Sequence, residues 1–199
     1  AKLAWGHVDD GSPYAAAPLF LRPAGQFTTT AADLARFAVF LLGDGRVDGR
    51  LFIDPALMSG RGKPNGTEAA RAGLVAGYSL GLGRRDRHGV VAYCHSGNTV
   101  GFFARLCLFP EEGKALAYAV NTDSETANYD RLDAIFIDAL EVPPAVLPPS
   151  ALMEDLAAWS GWYVPSPNRF ATFEYLDTVL GAIRLRDMDE ELHLQSLQR

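Results

Sequence analysis

The chain has 199 residues and a net charge of −6, with 48% hydrophobic and 21% charged residues. This composition is ordinary for a globular protein and argues against intrinsic disorder. An acidic chain without a basic stripe gives nucleic-acid binding little electrostatic support. No apolar run approaches the roughly 18 to 20 residues that a membrane span requires. We therefore expect a globular protein with a small-molecule partner, no nucleic-acid partner and no membrane span.

The first part of the chain is predicted to contain a long loop and two helices. Residues 2–27 are rich in Ala, Gly and Pro without a sustained period, which indicates a loop that lies over another part of the fold. Residues 30–43 begin with a capping-box-like pattern and continue with apolar residues at helical spacing. An Asp-Pro pair predicts a short helix over residues 54–59. We expect residues 60–66 to form a flexible loop.

The pattern changes from helical to extended after Gly77. Strands are predicted at four places: 78–84, 90–93, 102–109 and 115–121. Short connections between them, including a turn at 96–98, imply an antiparallel meander. Helical spacing returns at 124–140, and we expect this helix to pack on the sheet. The residues predicted to face the sheet are Leu132, Ile135, Phe136 and Ala139.

A proline-rich stretch separates this region from the C-terminal tail. Four prolines within residues 141–150 exclude a helix interior or a central strand. After a short helical pattern, strands are predicted at 161–163, 169–175, 178–185 and 191–197. The expected division is therefore residues 1–76 for helices and loops, 77–142 for the sheet with its helix, 143–150 for a linker, and 151–199 for a small, truncated β tail.

Cysteine and histidine patterns give no sign of a metal site. Cys94 and Cys107 lie on facing sides of a predicted turn, where they could lie near each other across two strands. We favour two buried free thiols, since this composition does not depend on disulfides. The four histidines and two cysteines show no metal-ligand spacing. We expect no metal and no cofactor. His7, His88 and His193 are interpreted as structural or solvated.

One serine lies in a pattern that is typical of a hydrolase nucleophile. The stretch "GYSLG" from Gly77 matches G-x-S-x-G and would make Ser79 the nucleophile of an α/β-hydrolase. That motif requires a strand, a sharp turn and then a helix, whereas here another strand is predicted to follow. Ser79 is therefore a minor alternative.

Four stretches in order carry a family resemblance. They are "TAADLAR" from Thr30, "YSLGL" from Tyr78, "HSGNTVGF" from His95 and "AYAVNT" from Ala117. Together they resemble the C-terminal half of serine β-lactamases, penicillin-binding proteins and their class C-like esterase relatives, over roughly residues 5–140. The resemblance implies an α+β fold that is part of the β-lactamase/DD-peptidase-like fold. An antiparallel sheet with its packed C-terminal helix would be joined by part of the helical region and followed by a small all-β tail.

The resemblance also implies the roles of four consecutive residues. His95, Ser96 and Gly97 would line the active site on the innermost strand. Ser96 would donate to a substrate carboxylate or pass a proton, and Gly97 would let an acyl substrate lie along the strand. The N–H of Asn98 would be one arm of an oxyanion hole. Because a histidine is largely neutral at pH 7 where a lysine is cationic, His95 favours an esterase or peptidase over a β-lactamase.

The family's nucleophile is not found in this sequence. No serine is followed by a lysine three residues later, so the required Ser-x-x-Lys motif would lie upstream of Ala1. We expect a C-terminal portion of a serine acyl hydrolase that acts on ester, β-lactam or peptide substrates and is inactive alone. Its uncovered sheet would self-associate or pair with the N-terminal half. The tail from Gly161 resembles a small barrel-like domain that some members append.

Two further interpretations stay open at this point. One is a non-catalytic module that binds peptides or cell-wall fragments in the groove beside Ser96 and Gly97. The other is a plain hairpin whose polar tip, with no chemistry, caps two core strands. The compartment is also open: periplasmic or secreted if the protein follows the penicillin-binding branch, and otherwise cytoplasmic.

Overall fold

The computed structural model describes residues 3–15, 24–25, 27–64, 66, 68–71, 73–146, 157–164, 174–188 and 191–196. The chain divides into two compact units, Ala1–Ala145 and Val146–Arg199. The helices are α1 (Ala31–Leu42), α2 (Pro55–Ser59), α3 (Glu68–Arg71), α4 (Tyr129–Ala139) and α5 (Glu174–Gly181). The strands are β1 (Gly6–His7), β2 (Pro13–Tyr14), β3 (Arg46–Val47), β4 (Arg50–Leu51), β5 (Tyr78–Ser79), β6 (Leu82–Arg87), β7 (Val90–Thr99), β8 (Phe102–Phe109), β9 (Lys114–Val120), β10 (Gly161–Tyr163), β11 (Ile183–Met188) and β12 (Glu191–Ser196).

The first unit is built on a five-stranded antiparallel sheet in the order β5-β6-β7-β8-β9. Strand β8 is largely buried, because its sequence is apolar on both faces and a helix covers each face. Helix α1 packs on one face against Leu106 and Leu108. Helix α4 packs on the other face against Cys107 and Phe109. The sheet with its packed helix agrees with the mixed α and β class expected from the sequence.

The predicted helix at 30–43 is confirmed as α1, and its start has a clear physical cause. Thr30 is the N-cap, and its hydroxyl oxygen accepts a hydrogen bond from the N–H of Asp33 at 3.2 Å. Ala38 and Leu41 are buried against the sheet. The short helix predicted at 54–59 is confirmed as α2, which is capped in the same way by Asp54.

The strand pattern differs from the prediction at two places that matter for the site. Residues 78–84 do not form one strand: β5 and β6 form a hairpin around Leu80 and Gly81, both with positive φ. Residues 96–98 are not a turn: they continue β7, and the chain turns at Val100 and Gly101 instead. The sequence pattern hid the first turn because leucine is a rare turn residue. The polar character of 96–98 suggested a turn that the backbone does not make.

The N-terminal segment lies over the turn between β7 and β8, as the loop prediction required. The N–H of His7 donates to the carbonyl of Gly101, and the side-chain amide of Asn121 donates to the carbonyl of Trp5 at 3.0 Å. A Cβ on Gly6 would lie 2.7 Å from the Gly101 oxygen, so two glycines are needed where these backbones meet. The structure adds two short paired strands, β1 and β2, to the predicted loop.

Helix α4 begins later than predicted, and its predicted face is confirmed in part: Leu132 and Phe136 pack against the core. The prediction placed Ile135 on the sheet, but this residue is exposed, whereas Asp133 is buried with 2% of its surface exposed. The reason is a buried polar network. The Asp133 carboxylate accepts hydrogen bonds from the Arg105 guanidinium and from the Tyr118 hydroxyl, the latter at 2.8 Å. An amphipathic pattern read only from apolar residues could not find a buried aspartate on this face.

Charges around the network hold the helix N-terminus against β6. Arg85 and Arg87 donate to the Asp130 carboxylate at 2.6 and 3.0 Å. The hydrogen bond from Arg87, followed by that from Arg85, lowers the pKa of Asp130. Burial, followed by the hydrogen bond to Asp133, raises the pKa of the Tyr118 hydroxyl, which keeps it a donor over the physiological range.

The two cysteines form a disulfide, so the interpretation as free thiols is wrong. Cys94 on β7 and Cys107 on β8 are direct partners in the strand register, with their Cα atoms 4.1 Å apart. Directly opposed residues of an antiparallel pair point to the same face, which brings the two sulfur atoms within bonding reach. Composition alone could not reveal this register.

The second unit contains a helix, so the expectation of an all-β tail is also wrong. Strands β10, β11 and β12 form an antiparallel sheet in that order. Helix α5 occupies residues that were predicted to begin a strand at 178–185, and β11 begins only at Ile183. The strands predicted at 161–163 and 191–197 are found as β10 and β12. Most of the strand predicted at 169–175 lies outside the described residues.

The outer edge of the main sheet is uncovered in the part of the chain that the structure describes. Among the described strands, β9 pairs with β8 alone. Beside it, α1 and α4 leave a groove of about 450 Å³ whose lining includes four alanines of α1 and β9: Ala35, Ala38, Ala115 and Ala117. None of the described helices is long and apolar enough to cross a membrane.

Replacing Asp133 tests the buried network. In the Asp133→Ala variant, the Arg105 guanidinium is left buried without its counter-charge, which costs about 3 to 5 kcal/mol for a broken buried pair. We expect that loss in the free energy of unfolding, measured by urea titration with circular dichroism. Asp138→Ala, on the exposed side of the same helix, is the charge-matched control and should change stability by less than about 0.5 kcal/mol. Equal losses in both variants would contradict a specific role of the network.

Alkylation tests the disulfide. Iodoacetamide should add no mass to the denatured, unreduced chain and two carbamidomethyl groups after reduction, as measured by intact-mass spectrometry. Closing a loop of this length, with a sequence separation of 13 residues, stabilises a fold by about 3 kcal/mol in the chain-entropy account. The Cys94→Ser/Cys107→Ser variant should lose about that amount. Two alkyl groups on the unreduced chain would restore the free-thiol interpretation.

Candidate functional site

Strand β7 has an open edge where it extends past its neighbour. On one side, β8 pairs with β7 from Tyr93 to Thr99. On the other side, the β6 pairing stops at Gly83, which lies opposite Cys94. The β6 side of residues 95–99 therefore has no strand partner among the described residues. We call this part of β7 the open edge. Its first four residues, 95–98, are exposed.

The register determines which backbone groups point toward this opening. In antiparallel pairs, closely spaced partners exchange no backbone hydrogen bonds and alternate with partners that do. The 4.1 Å between the Cα atoms of Cys94 and Cys107 identifies that pair as the closely spaced kind. Because the two kinds of pair alternate along the strand, Ser96 and Asn98, two and four residues after Cys94, also form closely spaced pairs with β8. Their N–H and C=O groups are therefore directed away from β8 and toward the open edge.

His95 and Ser96 project to opposite faces of the sheet. His95 is the partner of Leu106, which packs with the α1 cluster. Ser96 is the partner of Arg105, which bonds Asp133 of α4. Because side chains alternate along a strand, Gly97 shares the His95 face and Asn98 shares the Ser96 face. The four candidate residues are thus brought together along one edge, while their side chains reach it from two sides.

No packing in the described structure requires a glycine at position 97. A Cβ added to Gly97 would have no heavy atom within 4 Å. By contrast, a Cβ on Gly62 would collide with the Tyr93 ring, and Gly62 has φ +70°. A glycine within a strand that is not explained by packing is typical of a position where another group approaches the backbone closely.

The β5–β6 hairpin flanks the open edge, and sequence reasoning missed it. The Tyr78 ring lies 6.3 Å from the His95 ring, centroid to centroid, at an interplanar angle of 55°. Leu80 and Gly81 form the hairpin tip. The available signal was Gly81, but the G-x-S-x-G pattern drew attention to Ser79 instead.

Ser79 does not have the surroundings of a hydrolase nucleophile elbow. It lies on β5, and the following residues turn into β6 and not into a helix. Its carbonyl accepts a hydrogen bond from the N–H of Gly62 at 3.0 Å. The loop predicted to be flexible at 60–66 is therefore anchored at Gly62. Burial also lowers the pKa of the neighbouring Arg61, whose Nε donates to the Met58 carbonyl at 2.7 Å.

The other three histidines lie on β1, at the turn between β6 and β7, and on β12. His7 Nδ1 is 3.1 Å from the Asn121 carbonyl oxygen. His88 Nε2 is 3.4 Å from an Asp130 carboxylate oxygen. His193 lies on β12, opposite Arg186. In the described part of the chain, no three His, Cys, Asp or Glu side chains are grouped so that they could hold a metal ion.

One comparison with known proteins gives a match. A family model with the description Beta-lactamase matches residues 1–139. The match confirms the family resemblance drawn from the ordered motifs, and it covers the whole main sheet with both of its helices. No curated protein and no solved structure matches the chain.

Two substitutions test whether packing requires a glycine at position 62 and not at position 97. Gly97→Ala should leave the free energy of unfolding unchanged or raise it by about 0.5 kcal/mol, because glycine weakens a strand interior. Gly62→Ala should lower it by about 3 kcal/mol, because the new Cβ meets an aromatic ring at a backbone conformation that alanine disfavours. Urea titration measures both. A large loss in Gly97→Ala would mean that packing explains this glycine after all.

Proposed function

Because the chain belongs to the β-lactamase family, we propose that the open edge of β7 is the substrate-binding wall of a serine acyl hydrolase active site. The single observation that carries this proposal is the early end of the β6 ladder, which leaves backbone donors and acceptors of β7 facing solvent. An extended substrate that carries an ester or amide can occupy this edge as an added strand does. The family motif that His95, Ser96 and Gly97 resemble supports this proposal, since these residues follow one another along the open edge.

The N–H of Asn98 is the proposed oxyanion donor. Its direction toward the open edge lets it meet the carbonyl oxygen of a bound acyl group. As a nucleophile attacks, negative charge develops on that oxygen, and a preorganised donor lowers the barrier by about 3 kcal/mol. The neighbouring C=O of Asn98 can accept a hydrogen bond from an amide N–H of the substrate. Backbone groups are well suited to this task because the β8 ladder holds them in place.

His95 and Ser96 act from the two sides of the edge. Ser96 donates its hydroxyl proton to a substrate oxygen or passes a proton during acyl transfer. His95 orients the substrate or assists proton transfer. Histidine lacks the permanent positive charge of lysine, so position 95 attracts an anionic substrate less than a lysine there would. Esters and uncharged amides are therefore the favoured substrates, ahead of β-lactams.

The nucleophile of this reaction is proposed to lie outside residues 1–199. Acyl transfer by this family requires a serine activated by a nearby base, and the chain has no Ser-x-x-Lys motif. A segment encoded upstream would supply it and would cover the outer edge of β9. The alanine-lined groove beside β9 supports this pairing, because small side chains let another backbone approach closely. The chain alone is then expected to be inactive, and a second copy is the competing occupant of that edge.

Covalent labelling tests the proposal. The chain and a polypeptide extended by the upstream encoded sequence are incubated separately with a fluorescent penicillin and with an activated ester. Intact-mass spectrometry should show an adduct only on the extended polypeptide, at a serine before position 1. In that polypeptide, Asn98→Pro removes the donor at the open edge without breaking a bond to β8. It should slow labelling about 100-fold, the effect of losing one oxyanion donor.

The matched control is Asn98→Ala, which keeps the backbone N–H and should label at nearly the original rate. Equal slowing by both variants would contradict the backbone role of Asn98. An adduct on Ser79 would favour the α/β-hydrolase alternative. Reversible binding at the open edge without an adduct on either polypeptide would favour a non-catalytic module that binds peptides or cell-wall fragments.

A further inference from the structure

The tip of the β5–β6 hairpin holds a residue in an unfavourable backbone conformation. Leu80 has φ +49° and is followed by Gly81 at φ +84°. A two-residue hairpin with positive φ at both central positions strongly prefers Asn-Gly, Asp-Gly or Gly-Gly. Leucine is sterically disfavoured there, because its Cβ approaches the following carbonyl oxygen. A residue that breaks the local rule needs a compensating contact or a function.

Packing within the described structure does not explain Leu80. Its side chain is 56% exposed. Beside Gly60 there is room for a further methyl group, because a Cβ added to Gly60 would lie 3.7 Å from Leu80 Cδ1, an ordinary van der Waals distance. Tyr78, on the other side of Ser79, is also exposed, at 63%. We call the exposed surface of Tyr78 and Leu80 the shelf. It is aliphatic and aromatic and contains no charged side chain.

The position of the shelf links it to the open edge. The hairpin that carries it is the same feature that ends the β6 ladder, because β6 begins immediately after Gly81. Its tyrosine ring lies 6.3 Å from the ring of His95, the first residue of the open edge. A ligand that pairs with the open edge at residues 95–98 therefore has an apolar surface beside its His95 end.

We propose that the shelf formed by Tyr78 and Leu80 selects substrates with an apolar group next to the reacting acyl bond, such as esters or amides of aryl or bulky alkyl carboxylic acids. This inference rests on the proposed function of the open edge and adds the substrate class to it. Burying an apolar group on the shelf removes both surfaces from water, which favours such acids over short acyl groups. The leucine at the tip provides apolar surface that Asn or Gly would not.

The test measures binding to the full chain and needs no nucleophile. Two neutral probes carry the same amide and differ only at the apolar end: acetyl-alaninamide and 3-phenylpropanoyl-alaninamide. Backbone amide signals of residues 95–99 are followed by two-dimensional NMR during titration of each probe. We expect both probes to shift these signals, with a dissociation constant about tenfold lower for the phenylpropanoyl probe, the usual effect of a small increase in apolar contact.

Substitutions in the shelf test whether it causes the preference for the phenylpropanoyl probe. Leu80→Asn suits the positive φ of the turn and should remain folded while it reduces the preference. Tyr78→Ser combined with Leu80→Asn should bring the ratio of the two dissociation constants close to one, with acetyl-alaninamide binding unchanged within about twofold. Ile135→Asn removes an equally exposed apolar side chain, at 56%, from the remote surface of α4. This control should keep the tenfold preference.

The outcomes separate the two proposals. Equal affinity of both probes at residues 95–99 would contradict the shelf and leave the open edge as the binding site. The shelf is also contradicted if the double variant keeps the preference, or if the phenylpropanoyl probe shifts signals of β9 and leaves those of the open edge in place. If neither probe shifts the signals of residues 95–99, the open edge itself does not bind acyl compounds. Both proposals would then be wrong.

Discussion

The early end of the β6–β7 ladder is the constraint on which the candidate site depends. β6 cannot extend past Gly83 opposite Cys94, because the chain has just turned at Leu80 and Gly81. β7 and β8 continue together for five more residues. The same hairpin therefore ends one ladder, exposes the backbone groups of Ser96 and Asn98, and places Tyr78 beside His95. The site is a consequence of strand lengths and not of a cluster of reactive side chains.

An open strand edge is useful only if the rest of the strand is held firmly. Strand β8 provides this support, because it is buried between α1 and α4 and pairs with β7 along the whole open edge. The Cys94–Cys107 bond joins the two strands immediately before His95. On β8, opposite Ser96, the Arg105 guanidinium donates a hydrogen bond to Asp133 of α4. Each of these contacts restrains the backbone from the side opposite the opening, so that a ligand meets groups already in position.

The sequence predicted the elements whose signals are local, and it missed those that depend on register. The capped helix at Thr30 and the Asp54-Pro55 start are local hydrogen-bonding patterns, and both were found as predicted. The disulfide and the buried Asp133 depend on which residues lie opposite each other across strands or under a helix. The turn at Leu80 was not predicted, because leucine rarely adopts the positive φ that it has here. The polar run from Ser96 to Asn98 suggested a turn, since an exposed edge and a loop have similar compositions.

Gly97 connects the fold to the proposed chemistry. A glycine in the middle of a ten-residue strand reduces the stability of that strand, and no neighbour within the described structure requires its small size. The residues on either side of it direct their backbone groups to the opening, so a ligand bound there must pass directly over position 97. A side chain at that position, on the face shared with His95, would narrow the approach from that side. The simplest physical explanation of this glycine is therefore a bound group that the isolated strand does not contain.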